Sequence, residues 1–475
     1  MWSKDEKEAR LRNVTSAATV YQRAWDSVRV ECNATGDDIG IADVGAIQAA
    51  LADRWALLEF FVLENAVAVF LVTRDSFRVE RLPLPQEILR EATNQIVEWW
   101  NWNGRAGSEP PSNGLMWLYK HLFTPLLPHL TGKGVRGLYL VPHGLLQVIP
   151  LHACYRVEKG ERVYLGDEFE VVTLPTSALL PKLVPVADWQ RASLLSLANP
   201  EKNTRNGLPF SEWEAKQIEP LFGSKPFIGR EANVDNARRH WERASLLHFT
   251  GHGYGGGRLG LVFLAHLRLA AHDAEGREGD ILLAHDVTYQ MPEMPTGSSV
   301  ILNGCETGFK DLRAVDEALG LMTAFLLRGA SAVLATQWKV LDACAAQLVT
   351  TFTRAVKQEH LPLTLALRKA QTCVREMTVQ QALDQCAEAK KLTDAGSPDE
   401  RKVFGQMAVL GSRARDYGEA SRWALRAQGD ETPSEKSDWF AHWLKTQPPG
   451  NPNYDAKAFT HPIYWSAFFL VGRVV

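Results

Sequence analysis

The chain has 475 residues, 45% hydrophobic and 23% charged, which suits two large or three ordinary globular domains. Its 52 Lys and Arg against 55 Asp and Glu leave a formal charge of -3, which argues against a polybasic nucleic-acid or membrane-surface binder. The cysteines at 32, 154, 305, 344, 373 and 386 include no CxxC pair and are too sparse for a disulfide scaffold, so zinc ribbons and thioredoxin-type sites are unsupported and a reducing compartment is expected.

Residues 4–32 read as a helix, with Val20, Trp25 and Val28 as candidate buried positions. The opening MWSKDEKEAR has no apolar h-region, so it does not read as a secretory signal. A short helix is expected at 44–53, then two strands at 55–61 and 66–73 around Glu64-Asn65. Helices follow at 86–103 and 114–130, separated by the loop 104–113, then buried strands at 137–142 and 170–174. No apolar stretch reaches the ~18 residues of a membrane span. A soluble, cytoplasmic protein with no membrane partner is expected.

A second unit begins near 186. Apolar strands at 192–198, 244–250, 299–303 and 330–337 alternate with helices at 211–221, 316–327, 342–358 and 362–377. Ser211 with Glu214 three residues on has the form of a capping box. Short buried strands alternating with helices predict an α/β fold with a largely parallel sheet. Residues 378–450 are polar, Ala-rich and helical in pattern. Within them MAVLGSRARDYGEASRWALRA (407–427) resembles one tetratricopeptide unit, through Leu410-Gly411, Tyr417 and Ala420. A single unit must pack on the body or on a partner. The apolar run 461–472 reads as a closing strand.

Two strand ends carry reactive side chains. His252 follows strand 244–250 in TGHG, and Cys305 follows strand 299–303 in NGCETG. Open α/β sheets place their sites at the C-terminal ends of adjacent strands, so neighbouring strands would bring both into one crevice. A thiol needs a base within hydrogen-bond reach to become a thiolate. The backbone amides of Gly253 and Cys305 are candidates for an oxyanion hole. The other cysteines read as packing. His248 reads as strand-end support, and His285 and Asp286 as helix-capping residues. Gly251, Gly253 and Gly256, with Asp273, satisfy a dinucleotide fingerprint by letter, but an apolar strand-like run follows where a helix should start. No metal site and no cofactor is read from the sequence.

The His-to-Cys spacing of 53 residues resembles the caspase-type dyad. The flanks LYLVPHGLLQVIPLHA (138–153), RGASAVLATQWKV (328–340), ALRKAQ (366–371) and HPIYWSAFFLVG (461–472) resemble the CHAT domain, a caspase- and separase-related peptidase family. The resemblance covers roughly residues 40–475 apart from the helical insert. It implies a caspase-like α/β fold with a largely parallel central sheet flanked by helices. The expected domains are an N-terminal helix (1–35), a pseudo-protease half (36–185), a catalytic half (186–377), the insert (378–450) and a C-terminal strand completing the catalytic sheet (451–475). It implies His252 as general base and Cys305 as nucleophile of a cysteine endopeptidase. Gly304 precedes the cysteine and Glu306 follows it, a departure from the family's usual flanks.

By the same resemblance, Trp338, Asp342 and Glu306 are candidate substrate-binding residues. Asp342 either pairs a Lys or Arg side chain of a protein substrate or caps helix 342–358, with Asp311 and Asp316 in reserve. Only about 25 residues separate Cys305 from strand 330–337, leaving no long linker to cut, so activation by a conformational signal is expected. The insert and the N-terminal helix are candidate receivers of a regulatory protein. The family's association with bacterial defence and programmed death suggests the setting. The alternatives are a non-catalytic scaffold of the same fold and, most weakly, a nucleotide binder.

Overall fold

The computed structural model describes residues 43–97, 111–254, 265–270, 281–304, 320–428, 435–448 and 450–475. The helix expected at 4–32 lies outside them. In the first half, β1 (Trp55–Val62) and β2 (Val67–Thr73) form the expected hairpin. A third strand, β3 (Ser76–Leu82), extends it. Its Arg78, Glu80 and Arg81 break the apolar signal and also blunt the sheet edge it forms. After β4 (Gly137–Val141) comes the two-stranded hairpin β5 (Tyr155–Glu158) and β6 (Glu161–Tyr164), then β7 (Glu170–Thr173).

The second half contributes β8 (Leu194–Ala198), β9 (Phe227–Ile228), β10 (Leu246–Thr250), β11 (Gly253–Tyr254), β12 (His266–Arg268), β13 (Ile281–Leu283), β14 (Ser298–Asn303), β15 (Ala330–Thr336) and β16 (Phe468–Gly472). Among the described residues 11 strands form one sheet, ordered β3-β2-β1-β4-β7-β16-β15-β14-β10-β8-β9. It is antiparallel through β3, β2 and β1, then parallel from β1 to β9 except where β16 runs against β15. This is the expected α/β class, with helices packed on the sheet.

Side-chain alternation along the strands divides the core. Leu246 and Ile301 join one apolar cluster, with Phe210 and Trp213 of helix Pro209–Phe222 and Leu348 and Phe352 of helix Asp342–Glu359. Leu247, Phe249, Val300 and Leu302 join a second on the other face, with Trp241 and Phe325. Gly137 lies opposite Trp55 across β1 and β4, and a Cβ there would fall 2.3 Å from the indole. Gly137→Ala is therefore expected to destabilise the chain by about 1–3 kcal/mol through overpacking. An unchanged melting temperature would refute this.

Three local expectations need correction. The helix expected at 114–130 is broken into Asn113–Leu118, a π turn Tyr119–Phe123 and Leu127–Thr131, because Pro125 and Pro128 lack the N–H a continuous helix needs. The closing strand expected at 461–472 is only Phe468–Gly472. Its first part is the 3-10 turn Pro462–Tyr464, capped by the His461 side chain accepting from Ile463 N. Ser211 does not cap the helix expected at 211–221. That helix begins at Pro209, and the side chains of Ser211 and Glu214 turn elsewhere.

Residues 379–446 hold the helices Val379–Lys390, Pro398–Arg413, Tyr417–Gln428 and Glu435–Thr446. Gly411 sits where two of them cross, and a Cβ there would lie 2.9 Å from the Trp423 ring. These helices are tied to the body by Trp213 Nε1 donating to Glu388 (3.1 Å) and Gln385 Nε2 donating to the Ala343 carbonyl (3.0 Å). Among the described residues no helix is long and apolar enough to cross a membrane.

Candidate active site

β10 and β14 are parallel neighbours in register, Thr250 opposite Asn303. Just beyond the register, Gly251 N donates to the Asn303 carbonyl at 3.0 Å. Gly304 is buried, and its carbonyl accepts from Thr336 Oγ1 at the end of β15. Three adjacent strand ends thus meet at one place. His252 stands two residues past Thr250, as Cys305 in sequence stands two past Asn303. Cys305, Glu306, Asp311 and Asp316 lie outside the described residues.

The His252 ring is partly exposed, and its Nε2 lies 2.6 Å from the Asn206 carbonyl. A carbonyl only accepts, so Nε2 carries a proton, and in the neutral ring Nδ1 then keeps its lone pair. Glu201 Oε2 is 3.9 Å from the same Nε2 and 3.4 Å from Arg268 Nε. Arg268 N in turn donates to the His252 carbonyl at 2.9 Å. Gly253 is buried in β11 and pairs with Leu267. Gly256 and Asp273 lie outside the described residues.

Beneath the strand ends lies a polar chain that the sequence did not announce. His248 and Glu214 have no exposed surface, and His248 Nε2 is 2.7 Å from Glu214 Oε1. Ser196 Oγ lies 2.9 Å from His248 Nδ1, and Asn303 Nδ2 donates to Glu214 Oε2 at 2.5 Å. Alternation explains the grouping: His248 and Thr250 share one face of β10, and helix Pro209–Phe222 presents Glu214 to that face. Burial pushes the Glu214 carboxyl well up, against the pull of its Asn303 and Thr250 hydrogen bonds, and pushes His248 down to about 3. Both shifts favour the neutral form of the pair, in which Glu214 donates to His248 Nε2 and His248 Nδ1–H donates to Ser196.

Asp342 opens helix Asp342–Glu359 but gives that helix no cap, since Leu341 is the N-cap without a side-chain bond. Its carboxyl accepts instead from Phe210 N (3.1 Å) and Ser211 Oγ (3.4 Å), serving the start of helix Pro209–Phe222. The orphan amides after Pro209 create that demand. Asp342 and Trp338 also line a small cavity of about 40 Å³ with Gly251, Asn303, Gly304 and Thr336. Burial pushes the Asp342 carboxyl up to about 7. Trp338 is fully buried and donates from Nε1 to the Ile463 carbonyl at 3.0 Å.

Burial pushes the thiols of Cys154, Cys344 and Cys386 well above the usual range, which leaves them protonated and unreactive. Cys373 is half-buried, with its Sγ 3.7 Å from Thr351 Oγ1. Asp286 accepts from Leu283 N at 3.2 Å, capping helix Ala284–Tyr289 as expected. Among the described residues no cluster of three or more His, Cys, Asp or Glu could hold a metal.

Residues 113–473, more than half of the chain, match the CHAT domain, and the chain belongs to the CHAT domain family. Among solved structures it is similar to a chain of the Saccharomyces cerevisiae separase–securin complex, with a TM-score of 0.44 and 10% identity over 69% of this chain and 29% of that one. It thus spans less than a third of that separase-complex chain. It is also similar to gingipain R, an Arg specific cysteine proteinase, with a TM-score of 0.32 and 11% identity over 60% of this chain and 70% of that one. A chain from the complex of Porphyromonas gingivalis RgpB pro- and mature domains matches with a TM-score of 0.31 and 12% identity, over 65% of this chain and 73% of that one. Among curated proteins nothing matches the chain in sequence.

Proposed function

We propose that this CHAT-domain chain is a cysteine endopeptidase working through His252 and Cys305. One observation carries the reading. β10 and β14 are adjacent and in register at Thr250 and Asn303, and equal two-residue steps lead from these to the histidine and the cysteine. His252 Nδ1, freed by the Asn206 carbonyl on the far side of the ring, takes the thiol proton. The thiolate attacks the peptide carbonyl carbon, with the amides of Gly253 and Cys305 receiving the oxyanion. The C–N bond breaks as Nδ1 returns the proton to the leaving amine. Water then hydrolyses the thioester and its proton restores the thiol by way of Nδ1.

Asp342, at the wall of the cavity beside Gly304, is proposed to pair a Lys or Arg side chain of a protein substrate, with Trp338 and Glu306 as further wall. Activation is proposed to come from a regulatory protein acting through the insert or the N-terminal helix, in bacterial defence or programmed death. A scaffold without catalysis is the rival, since the family fold alone does not specify chemistry.

A thiol-reactive acyl-lysine or acyl-arginine probe tests this. Labelling lost in Cys305→Ala and His252→Ala and kept in Cys344→Ala supports the peptidase. No labelling under any condition, native partner included, favours the scaffold. Asp342→Asn should slow labelling roughly 10–100-fold, the value of a charged hydrogen bond. Because the carboxyl sits near 7, the wild-type rate with the lysine probe should climb more steeply through neutral pH than that of Asp342→Asn. Equal pH profiles would remove Asp342 from substrate binding.

A further inference from the structure

The carbonyl that holds His252 belongs to an exposed loop. Residues 199–207 run from the end of β8 to the helix beginning at Pro209, and Asn206 is exposed. The loop's own bonds are short-range turns, such as Thr204 N to the Glu201 carbonyl at 3.1 Å and Gly207 N to the Thr204 carbonyl at 3.1 Å. Such turns shape the loop but do not by themselves fix its exposed tip to the body.

The base of the loop is tied locally, Asn199 N donating to the Thr250 carbonyl at 3.0 Å and Lys202 Nζ reaching Glu212 at 2.8 Å, but the stretch around Asn206 is held from almost 200 residues away. Asp399, in the first turn of helix Pro398–Arg413, is only 1% exposed. Its Oδ2 accepts from Asn199 Nδ2 at 3.2 Å and from Asn203 N at 3.1 Å. Asp394 accepts from Asn203 Nδ2 at 2.5 Å, and Lys402 Nζ donates to the Gly207 carbonyl. A Cβ on Gly207 would fall 2.0 Å from Asp399 Oδ1, so a glycine is what lets helix and loop approach. Asn206 is thus gripped on both sides, at Asn203 and at Gly207, by a helix of the segment read as an insert.

We infer that Asp399 and Lys402 are positioning residues for His252, acting through the loop that presents the Asn206 carbonyl. The catalytic half of this statement rests on the peptidase reading above; the positioning half does not. An imidazole chooses its tautomer by the hydrogen bond its outer nitrogen makes. With the carbonyl in place the proton sits on Nε2 and Nδ1 is a base. With the carbonyl withdrawn both tautomers form, and the competent fraction falls. Any partner that shifts helix Pro398–Arg413 thereby acts on the base without touching it. The charged groups at the ring are Glu201 and Arg268, and Lys402 lies among Asp399, Asp342 and Glu201.

The test uses the full chain carrying Cys305→Ala and 15N-labelled histidine, read by nitrogen–proton correlation at His252. The parent should show the Nε2-protonated tautomer. Lys402→Met and Asp399→Ala should convert it to a mixture, and Gly207→Ala should do the same from the loop side. Lys402→Arg should restore the parent spectrum. Tyr454→Phe loses the 2.7 Å bond to Asp416 in the same segment and should leave the tautomer unchanged. In the catalytic chain, Lys402→Met should lower kcat roughly 10–100-fold with KM unchanged, as a misplaced base does. A folded Lys402→Met with the parent's tautomer would overturn the inference, as would a parent protonated on Nδ1. A tautomer change with no hydrolysis by any form would keep the positioning role and overturn the peptidase reading.

Discussion

Cys305→Ala is expected to lower peptide hydrolysis roughly 10⁴–10⁶-fold, the scale on which removal of a covalent nucleophile registers. His252→Ala should lose a comparable amount, and the double variant little more, because the proposed nucleophile and base would act as one unit. Cys344→Ala and Cys154→Ala should retain full activity, since their thiols are buried and held protonated. The measurement is steady-state cleavage of peptides ending in Lys or Arg before the reporter group, with and without the proposed activating partner. Activity that survives Cys305→Ala and vanishes with Cys373→Ala would move the nucleophile elsewhere.

The second large effect concerns stability and its pH dependence. Burial keeps Glu214 protonated in the native chain well above 4.5, its ordinary value. As pH rises past 4.5 the unfolded chain releases a proton that the native chain keeps, so this carboxyl's contribution falls until the native group ionises. His248 acts in the opposite sense. Its value is pushed from 6.5 to about 3, so between these the unfolded chain holds the extra proton and stability rises with pH.

Glu214→Gln keeps an acceptor for Asn303 and a donor toward His248, but cannot titrate. Its stability relative to wild type should therefore rise by about 1.4 kcal/mol per pH unit above the unfolded value of the carboxyl, His248 being common to both. Urea unfolding across a pH series from about 5 to 8 reads this difference directly. A flat difference would mean the native carboxyl is ionised. Glu214→Leu removes a partner of both His248 and Asn303 and should destabilise the chain by about 1–3 kcal/mol for each buried polar group left unsatisfied.

The strand ends were legible because buried parallel strands are short unbroken apolar runs, and here each run stops at a glycine, Gly251 or Gly304, just before the candidate residue. Neither register nor the adjacency of β10 and β14 was legible: adjacency stood as a condition, and three strands of a separate sheet, β11 to β13, intervene between the two in the chain. Glu214 was read as half of a capping box because S-x-x-E is a local pattern. Only the fold shows Pro209 starting the helix and Asp342 meeting its amides, which frees Glu214 to face β10. The Asn206 carbonyl has no side-chain signature at all. Asp399 and Lys402 read as the polar first turn of a helix, and nothing local couples them to a loop so far back in the chain. The β5–β6 hairpin did carry a signal, since Lys159 and Gly160 both take positive φ, 52° and 86°, at a tight turn.

The position of β16 has a bearing on how the sheet comes into being. It is the strand between β7 and β15, and Val471 pairs with Thr173 across most of the chain's length. During synthesis β7 and β15 both leave the ribosome before the strand that separates them. Until residues 468–472 arrive, each half exposes an open parallel edge toward the other. β15 is largely apolar and β7 carries Val171 and Val172 at its centre, so premature pairing of β7 with β15 is the misassembly this order of events invites. A nonsense codon shortly before Phe468 should accordingly produce chains that aggregate rather than a smaller folded protein.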